Sequence, residues 1–409
     1  MSELKVTCDP GDVGFDPARL RRIDAHLARY VDDGRLPGWL VLVSRRGEIA
    51  HLSAYGSRDV ATGAPVETGT LFRIYSMSKP VTSVAAMILY EEGALDLDDP
   101  VSRFIPSFRD LRVHEGGTAA APITRPVREP VRVRHLLTHT AGLAYGFQHV
   151  HVVDEIYRQA GFNRGMPKGL DLAQTADRLG ELPLLFEPGT QWNYSVATDV
   201  LGRVVEVASG RPFAAFLAER IFEPLGMTDT GFRVGREHAE RLATLYSLVP
   251  GDGMVPLDMG DLAFVPPLAP SGGGGLISTA HDYHRFLQML LRGGELDGVR
   301  LLGPRTVSYM TRNHLPGGAD LQEFGRPVFA EVSYAGMGFG LGFGVLLDAV
   351  KAGLLSSEGE YSWGGAASTA FWVDPKEELS VLFLTQLLPS NAYPLRAALR
   401  RLVHQALVE

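Results

Sequence analysis

Ser76-Met77-Ser78-Lys79 lies where a strand-like run, residues 70–75, meets a helix-like run, residues 81–90. A spacing of three on a helix places the serine and the lysine on one face, within reach of each other. A lysine so placed can hold or take the serine proton, and a helix N-terminus adds free N–H groups where a reacting oxyanion could sit. Taken alone, the motif also fits a helix-capping serine followed by a solvated lysine.

The composition indicates an ordinary globular protein. The chain has 409 residues, of which 45% are hydrophobic and 21% charged, so it can bury a sizeable core. A net charge of −8 and the absence of a dense lysine–arginine run argue against a nucleic-acid partner. The four arginines within residues 125–134 are interrupted by prolines and a glutamate, which is typical of a surface loop entering a helix.

Cysteine usage and the chain's apolar runs bear on its compartment. Cys8 is the single cysteine, so no internal disulfide can form, which fits a reducing compartment. The first seven residues have no apolar core of the kind that secretory signals carry, and no apolar run approaches transmembrane length. We therefore expect a cytoplasmic protein without a membrane partner.

Helix and strand patterns are arranged so that the two ends of the chain resemble each other. The N-terminal part predicts a helix over residues 17–33 and a hairpin over residues 39–55. Strands are predicted at 342–347, 368–373 and 379–384, followed by a helix at 393–408. Between them, short helices and long loops prevail, and the run Gly272–Gly275 indicates close backbone packing.

This order predicts an α+β fold in which one antiparallel sheet is built from both chain ends. We expect residues 1–91 and 292–409 to form the sheet domain, flanked by helices. Residues 92–291 would form a mainly helical insertion, with the Tyr194 loop facing the cleft between the two.

A serine nucleophile needs a base and an oxyanion hole, and two further segments could supply them. Tyr194 lies in a loop, residues 189–195, and would be a competent base if a neighbouring lysine lowered its pKa. Equally, its ring could simply cover a helix start. Trp363-Gly364-Gly365-Ala366 precedes a strand, and its glycines would let a ligand approach a backbone N–H. That segment could otherwise be a bulge carrying a packed tryptophan.

The order of these segments resembles that of serine β-lactamases and penicillin-binding proteins. The sequence is similar to those of the class C β-lactamase-related family and, within it, of the family VIII carboxylesterases, over about residues 15 to 405. Four stretches carry the resemblance: Leu71-Phe72-Arg73-Ile74-Tyr75-Ser76-Met77-Ser78-Lys79-Pro80, His135-Leu136-Leu137-Thr138-His139-Thr140-Ala141-Gly142-Leu143, Pro224-Leu225-Gly226-Met227 and Trp363-Gly364-Gly365.

The resemblance implies a fold of the β-lactamase type and a role for each motif residue. Ser76 would be the acylated nucleophile, Lys79 would assist its deprotonation, and Tyr194 would be the general base. The N–H groups of Ser76 and Ala366 would form the oxyanion hole, beside the substrate-binding residues Trp363, Gly364 and Gly365. His135 and His139 belong to the family signature and are interpreted as structural. No Gly-x-Ser-x-Gly elbow occurs, which argues against an α/β-hydrolase.

Two departures from the lactamase pattern bear on the substrate. The tyrosine motif there is Tyr-x-Asn, whereas here it is Tyr194-Ser195-Val196, which removes an amide hydrogen-bonding group. The third motif there begins with lysine, whereas here it begins with the neutral Trp363. Losing these donors relaxes a preference for polar groups, and an unpaired carboxylate is penalised in an apolar site. We therefore predict a carboxylesterase for short apolar acyl esters.

Several alternatives keep the same site. The acceptor could be an alcohol, as in an acyltransferase, or the substrate could be a β-lactam or a D-amino acid derivative. Three loops of subfamily-specific length are predicted to line the pocket, residues 111–130, 145–169 and 314–336. A silent scaffold or sensing module is a different class, disfavoured by the intact Ser76, Lys79 and Tyr194. With no metal-ligand spacing and no nucleotide loop, we expect a small-molecule ester as partner and no cofactor.

Overall fold

A computed structural model describes residues 4–163 and 165–409 of the chain. It is an α+β structure, as predicted, in which short helices connect and cover one large sheet and several small ones. The helices, in chain order, are α1 (Pro17–Leu20), α2 (Arg22–Asp32), α3 (Ser78–Glu91), α4 (Val133–Leu137), α5 (Val152–Gln159), α6 (Leu172–Gly180), α7 (Ala197–Ser209), α8 (Phe213–Leu217), α9 (Glu223–Leu225), α10 (Ala280–Leu291), α11 (Pro304–Met310), α12 (Leu321–Phe324), α13 (Ala349–Ala352) and α14 (Leu395–His404).

The strands are short, with the exception of the first two. In chain order they are β1 (Gly38–Arg45), β2 (Glu48–Asp59), β3 (Ala64–Pro65), β4 (Phe72–Arg73), β5 (Arg112–Thr118), β6 (Ala121–Pro126), β7 (Tyr246–Val249), β8 (Gly253–Pro256), β9 (Ile277–Ser278), β10 (Glu295–Leu296), β11 (Val299–Arg300), β12 (Met337–Phe339), β13 (Gly344–Leu346), β14 (Tyr361–Gly364), β15 (Ala370–Asp374), β16 (Leu379–Leu384) and β17 (Leu387–Leu388).

The main sheet has eight antiparallel strands in the order β12-β13-β14-β15-β16-β1-β2-β3, so it draws on both ends of the chain. The two ends meet at β1 and β16, where Leu40 lies opposite Leu384 and Arg45 opposite Leu379. Successive side chains on a strand point to opposite faces. Trp39, Val41 and Val43 accordingly enter one hydrophobic cluster, and the alternate residues of β1 enter the other.

Helices cover both faces of this sheet. On one face, Ile23 and Leu27 of α2 and Leu399 and Val403 of α14 complete the smaller cluster. On the other face, α3 and α10 lie in the larger cluster, and α10 packs directly against β16, β15 and β1. Helix α3 also packs against α7, which follows the Tyr194 loop. This double contact places the start of α3 where the sheet, the helical part and the Tyr194 loop meet.

Several elements differ from the prediction. The helix predicted over 17–33 divides at Arg21 into α1 and α2. The strand-like run before Ser76 pairs over only two residues, Phe72–Arg73, with β9. Residues 112–126, predicted as a loop, form the hairpin β5–β6. Strands β12 and β14 were not predicted, because short glycine-bearing segments show no clear alternation. No helix in the described part of the chain is both long enough and apolar enough to cross a membrane.

Candidate active site

Ser76 lies on a tight turn that leads directly into α3. The turn, Tyr75–Met77, is 3₁₀-helical, and Tyr75 has a φ of 45°, in the left-handed region that non-glycine residues rarely adopt. Two contacts hold the turn: the Tyr283 hydroxyl of α10 donates to Met77 O at 2.9 Å, and Ile74 N donates to Leu276 O at 3.1 Å. Such a conformation persists where its surroundings fix it. The Ser76 residue is 9% exposed.

Lys79, one turn along α3, is buried beside Ser76. Its Nζ lies 2.6 Å from Gly273 O, 3.0 Å from the Tyr145 hydroxyl and 3.3 Å from Ser76 Oγ. An ammonium has three hydrogens to donate, and three acceptors surround this one. Burial lowers the pKa of Lys79 to about 8, against the opposing effect of the nearby Asp199 and Glu331 carboxylates. The group can therefore lose its proton close to physiological pH.

The glycine run holds the backbone carbonyl that Lys79 contacts. Gly273 N donates to Asp199 Oδ1 at 2.9 Å, and Ser271 Oγ donates to the same oxygen at 2.6 Å. A Cβ at Gly273 would lie 2.7 Å from Asp199 Oδ2, and one at Gly272 would lie 2.7 Å from Thr198 O. The run packs closely between α3 and α7, as its sequence context predicted. Only glycine lets the backbone approach the two helices so closely.

Tyr194 lies on the other side of Ser76. Its hydroxyl is 2.6 Å from Ser76 Oγ, and the residue is 1% exposed. Burial raises the pKa of Tyr194 well above 10, despite the hydrogen bond with Ser76 that acts in the opposite direction. The lowered pKa that was predicted from a neighbouring lysine is therefore not found, because desolvation dominates. In the resting site the phenol keeps its proton and donates it to Ser76 Oγ.

Aromatic packing fixes the ring of Tyr194. The His139 ring meets it edge-on at 5.1 Å between centroids, and Trp192 lies parallel to it at 6.3 Å. Burial lowers the pKa of His139 well below 6.5, so this imidazole is neutral. His135 Nδ1 accepts from Arg132 N at 3.1 Å, at the start of α4. Both histidines thus support the fold around the site without touching Ser76 Oγ among the described contacts.

Tyr145 is a site residue to which the sequence analysis gave no role. It was named only as the first residue of a predicted pocket loop. Its hydroxyl contacts Lys79 Nζ at 3.0 Å, and its ring lies edge-on to Tyr194 at 5.2 Å. Burial raises the pKa of Tyr145 well above 10. No spacing rule connects a loop tyrosine with a lysine 66 positions earlier, so the sequence carried no signal for this contact.

The segment after Trp363 comes close to the Ser76 turn. Trp363 and Gly364 end strand β14, and a Cβ at Gly365 would overlap Ile74 O, two residues before Ser76. The Trp363 ring lies 5.4 Å from that of Tyr194. Within the described residues, the backbone N–H of Ala366 has no hydrogen-bond acceptor. The structure thus brings all the predicted site segments together around one serine.

Two of the three predicted pocket loops contribute aromatic rings near the site. Phe147 stacks on Tyr145 at 4.8 Å, and Phe329 lies 6.4 Å from Tyr194. The two phenylalanines approach each other at 6.3 Å across the loops. The hairpin β5–β6 pairs instead with Leu184 and Glu187, in the segment that precedes the Tyr194 loop.

Comparison with known proteins gives a family match and a relative that each cover most of the chain. The beta-lactamase family pattern matches residues 23–406. Esterase EstB of Burkholderia gladioli is 36% identical over 424 residues, which cover 98% of this chain and 99% of EstB.

Two solved structures share the fold over nearly their full length. EstCE1, described as a hydrolase with promiscuous acyltransferase activity, superposes with a TM-score of 0.80 and 31% identity, covering 95% of this chain and 99% of EstCE1. Unliganded simvastatin synthase from Aspergillus terreus superposes with a TM-score of 0.78 and 26% identity, covering 96% and 98%.

Proposed function

The chain belongs to the beta-lactamase family and is an ester-cleaving hydrolase, and we propose that it cleaves short apolar acyl esters through an acyl-enzyme on Ser76. One observation carries the proposal. Ser76 Oγ lies between two buried proton-transfer groups, the Tyr194 hydroxyl at 2.6 Å and Lys79 Nζ at 3.3 Å. A nucleophile flanked in this way can lose a proton on one side and receive a leaving group on the other.

Acylation begins with Lys79 in its neutral form. Its Nζ takes the Ser76 proton as Ser76 Oγ bonds to the ester carbonyl carbon, and the carbonyl oxygen gains negative charge. The N–H groups of Ser76 and Ala366 stabilise that oxyanion. When the carbon–oxygen bond to the alcohol breaks, Tyr194 donates its proton to the departing alkoxide. The proton on Lys79 then neutralises the Tyr194 phenolate, so the alcohol leaves and the charges balance.

Deacylation follows the same path in reverse with water. Neutral Lys79 takes the proton of Tyr194, and the resulting phenolate accepts a proton from a water molecule as the water oxygen attacks the acyl carbon. When the intermediate collapses, the bond between the acyl carbon and Ser76 Oγ breaks, the carboxylic acid is released, and the Lys79 ammonium returns a proton to Ser76 Oγ. Two pKa directions and the geometry around Ser76 Oγ support this division of roles, since the pKa of Lys79 is lowered to about 8 and that of Tyr194 is raised. The neutral form of Lys79 is therefore the base of acylation, and Tyr194, which keeps its proton, is the acid.

The surroundings of Ser76 support neutral acyl groups. Val196 stands where an amide would be needed to hold a polar side chain, and Trp363 stands where a lysine would attract a carboxylate. Phe147 and Phe329 add apolar surface at the approach to the site. A polar or charged acyl group would lose its hydration here without gaining partners.

A labelling and substrate experiment tests the proposal. A fluorophosphonate probe should modify the wild-type protein and leave Ser76→Ala unmodified. The wild type should hydrolyse p-nitrophenyl butyrate faster than longer acyl esters and faster than a chromogenic cephalosporin. Labelling that survives in Ser76→Ala would refute Ser76 as the nucleophile. Faster cephalosporin cleavage would refute the ester preference.

Acyl transfer to an alcohol is a second candidate function. It is favoured by the likeness to EstCE1 and to simvastatin synthase, which both share the fold over nearly the whole chain. The same acyl-enzyme would then pass its acyl group to an alcohol oxygen in place of water. Adding a primary alcohol to the butyrate assay and separating butyric acid from the new ester measures the partition between the two acceptors.

A further inference from the structure

An ion pair that the proposed reaction does not use lies behind the segment that follows Trp363. Arg396, in the first turn of α14, donates from Nη2 to Gly365 O and Thr369 O, both at 3.0 Å. A Cβ at Gly364 would collide with its guanidinium. A fixed positive group therefore lies against the segment that carries the proposed oxyanion donor Ala366.

The chain supplies its own carboxylate to this guanidinium. Glu331 Oε2 lies 2.7 Å from Arg396 Nη1 and 3.1 Å from Ser390 Oγ, and the Glu331 side chain is 1% exposed. Among the described residues, the other carboxylate oxygen, Oε1, has no hydrogen-bond partner, and neither does Arg396 Nε. The pair is therefore only partly satisfied, and it leaves one buried acceptor open beside the site.

The charge of Glu331 reaches the catalytic groups. Its carboxylate contributes to raising the pKa of Tyr194 and of Tyr145, and it opposes the lowering of the pKa of Lys79. Phe329, two residues earlier on the same segment, lies 6.4 Å from the Tyr194 ring. Negative charge thus lies close to the catalytic groups, on the segment that also carries Phe329. A second carboxylate brought close to Ser76 by a substrate would meet this like charge and lose its hydration.

We propose that the Glu331–Arg396 pair selects substrates by the charge of their acyl group. Glu331 occupies Arg396 as an internal carboxylate, so acidic acyl groups are rejected and neutral ones accepted. Without the Glu331 carboxylate, the same guanidinium would carry an unpaired positive charge, and its Nη1 would be free to donate a charge-assisted hydrogen bond to a substrate carboxylate. The proposal rests on the ester hydrolysis proposed above, and it names the substrate class of that site as uncharged acyl esters.

The test compares two esters that differ only in terminal charge, p-nitrophenyl hexanoate and the mono-p-nitrophenyl ester of adipic acid. The measured quantity is the ratio of their kcat/KM values, because any effect of Glu331 on Lys79 changes both rates and cancels in the ratio. We expect the wild type to prefer hexanoate, and Glu331→Gln to shift the ratio towards the adipate ester by about tenfold or more.

Matched variants and an independent readout keep the result decisive. Glu323→Gln removes an exposed carboxylate on a nearby helix and should leave the ratio unchanged. Thermal melting establishes that Glu331→Gln is folded. An unchanged ratio in a folded, active Glu331→Gln would overturn the proposal, as would a wild type that hydrolyses both esters equally well, even if the variant does not fold. Absence of turnover with either ester would refute the proposed function itself.

Discussion

The buried lysine makes the pH dependence of the reaction predictable. If neutral Lys79 is the base, kcat/KM for p-nitrophenyl butyrate should rise with pH and level off above the pKa of that group, which burial lowers to about 8. For a group with that pKa, about a tenth is neutral at pH 7 and about nine tenths at pH 9, so the rate should rise roughly tenfold across this range. Initial rates, corrected for spontaneous hydrolysis, give the profile.

A charge-removing variant should move that profile. The Asp199 carboxylate favours the protonated form of Lys79, so Asp199→Asn should lower the pKa of Lys79 further. The rising limb of the profile should then shift to lower pH, and the variant should retain more of its maximal rate at pH 6.5 than the wild type does. Asp252→Asn, which removes an exposed carboxylate, serves as the matched control.

Two results would refute this reasoning. A rate that falls as pH rises through 8 would mean that the protonated ammonium is the required form and that Lys79 acts by its charge. A profile unchanged in a folded Asp199→Asn would mean that the titrating group is not Lys79. Ser76→Ala, measured at every pH, gives the rate that does not depend on the nucleophile.

Three other substitutions separate chemistry from structure. Tyr194→Phe keeps the packed ring and removes the acid, so kcat should fall by about 10²–10⁴-fold, and circular dichroism should be unchanged; a loss below tenfold would contradict the role of Tyr194. Gly365→Ala forces a Cβ onto Ile74 O and should lower kcat by about tenfold or more, whereas Gly69→Ala, whose Cβ would meet only the Arg241 side chain at 3.8 Å, should be nearly neutral in the same esterase assay. Leu27→Ala leaves a cavity in the core cluster that contains α2 and α14, so it should lower the unfolding free energy by about 2–5 kcal/mol in urea titrations. Its kcat should be unchanged, and a changed kcat would indicate coupling between that face of the sheet and the site.

The sequence predicted those parts of the site that lie in short sequence motifs. Ser76 and Lys79 are three residues apart on one helix, so their contact follows from helix geometry alone. Tyr194 and the segment after Trp363 could be assigned through resemblance, because their order along the chain matches a family pattern. The α+β fold was predicted for a related reason, since strand patterns at both ends and helix patterns between them are visible locally.

The remaining site residues could not be predicted because their contacts are made only by the fold. Asp199 contacts Gly273 from 74 positions away, and Arg396 contacts Glu331 from 65 positions away. The raised pKa of Tyr194 has the same origin, since it arises from burial among residues that only the fold brings together, such as His139 and Trp363. Local patterns contain neither the packing density nor the partners of a buried group.

The central pairing of β1 with β16 has a consequence for how this protein is made. β1 is buried on both faces, yet its partner β16 follows about 340 residues later in translation. A ribosome adds roughly 5–20 residues per second, so a newly made β1–β2 hairpin waits on the order of 20–70 seconds with one strand edge unpaired. Chaperone dependence during synthesis is the expected outcome. Ribosome-bound chains that stop before residue 379 should bind a holdase chaperone, and full-length chains released from the ribosome should not.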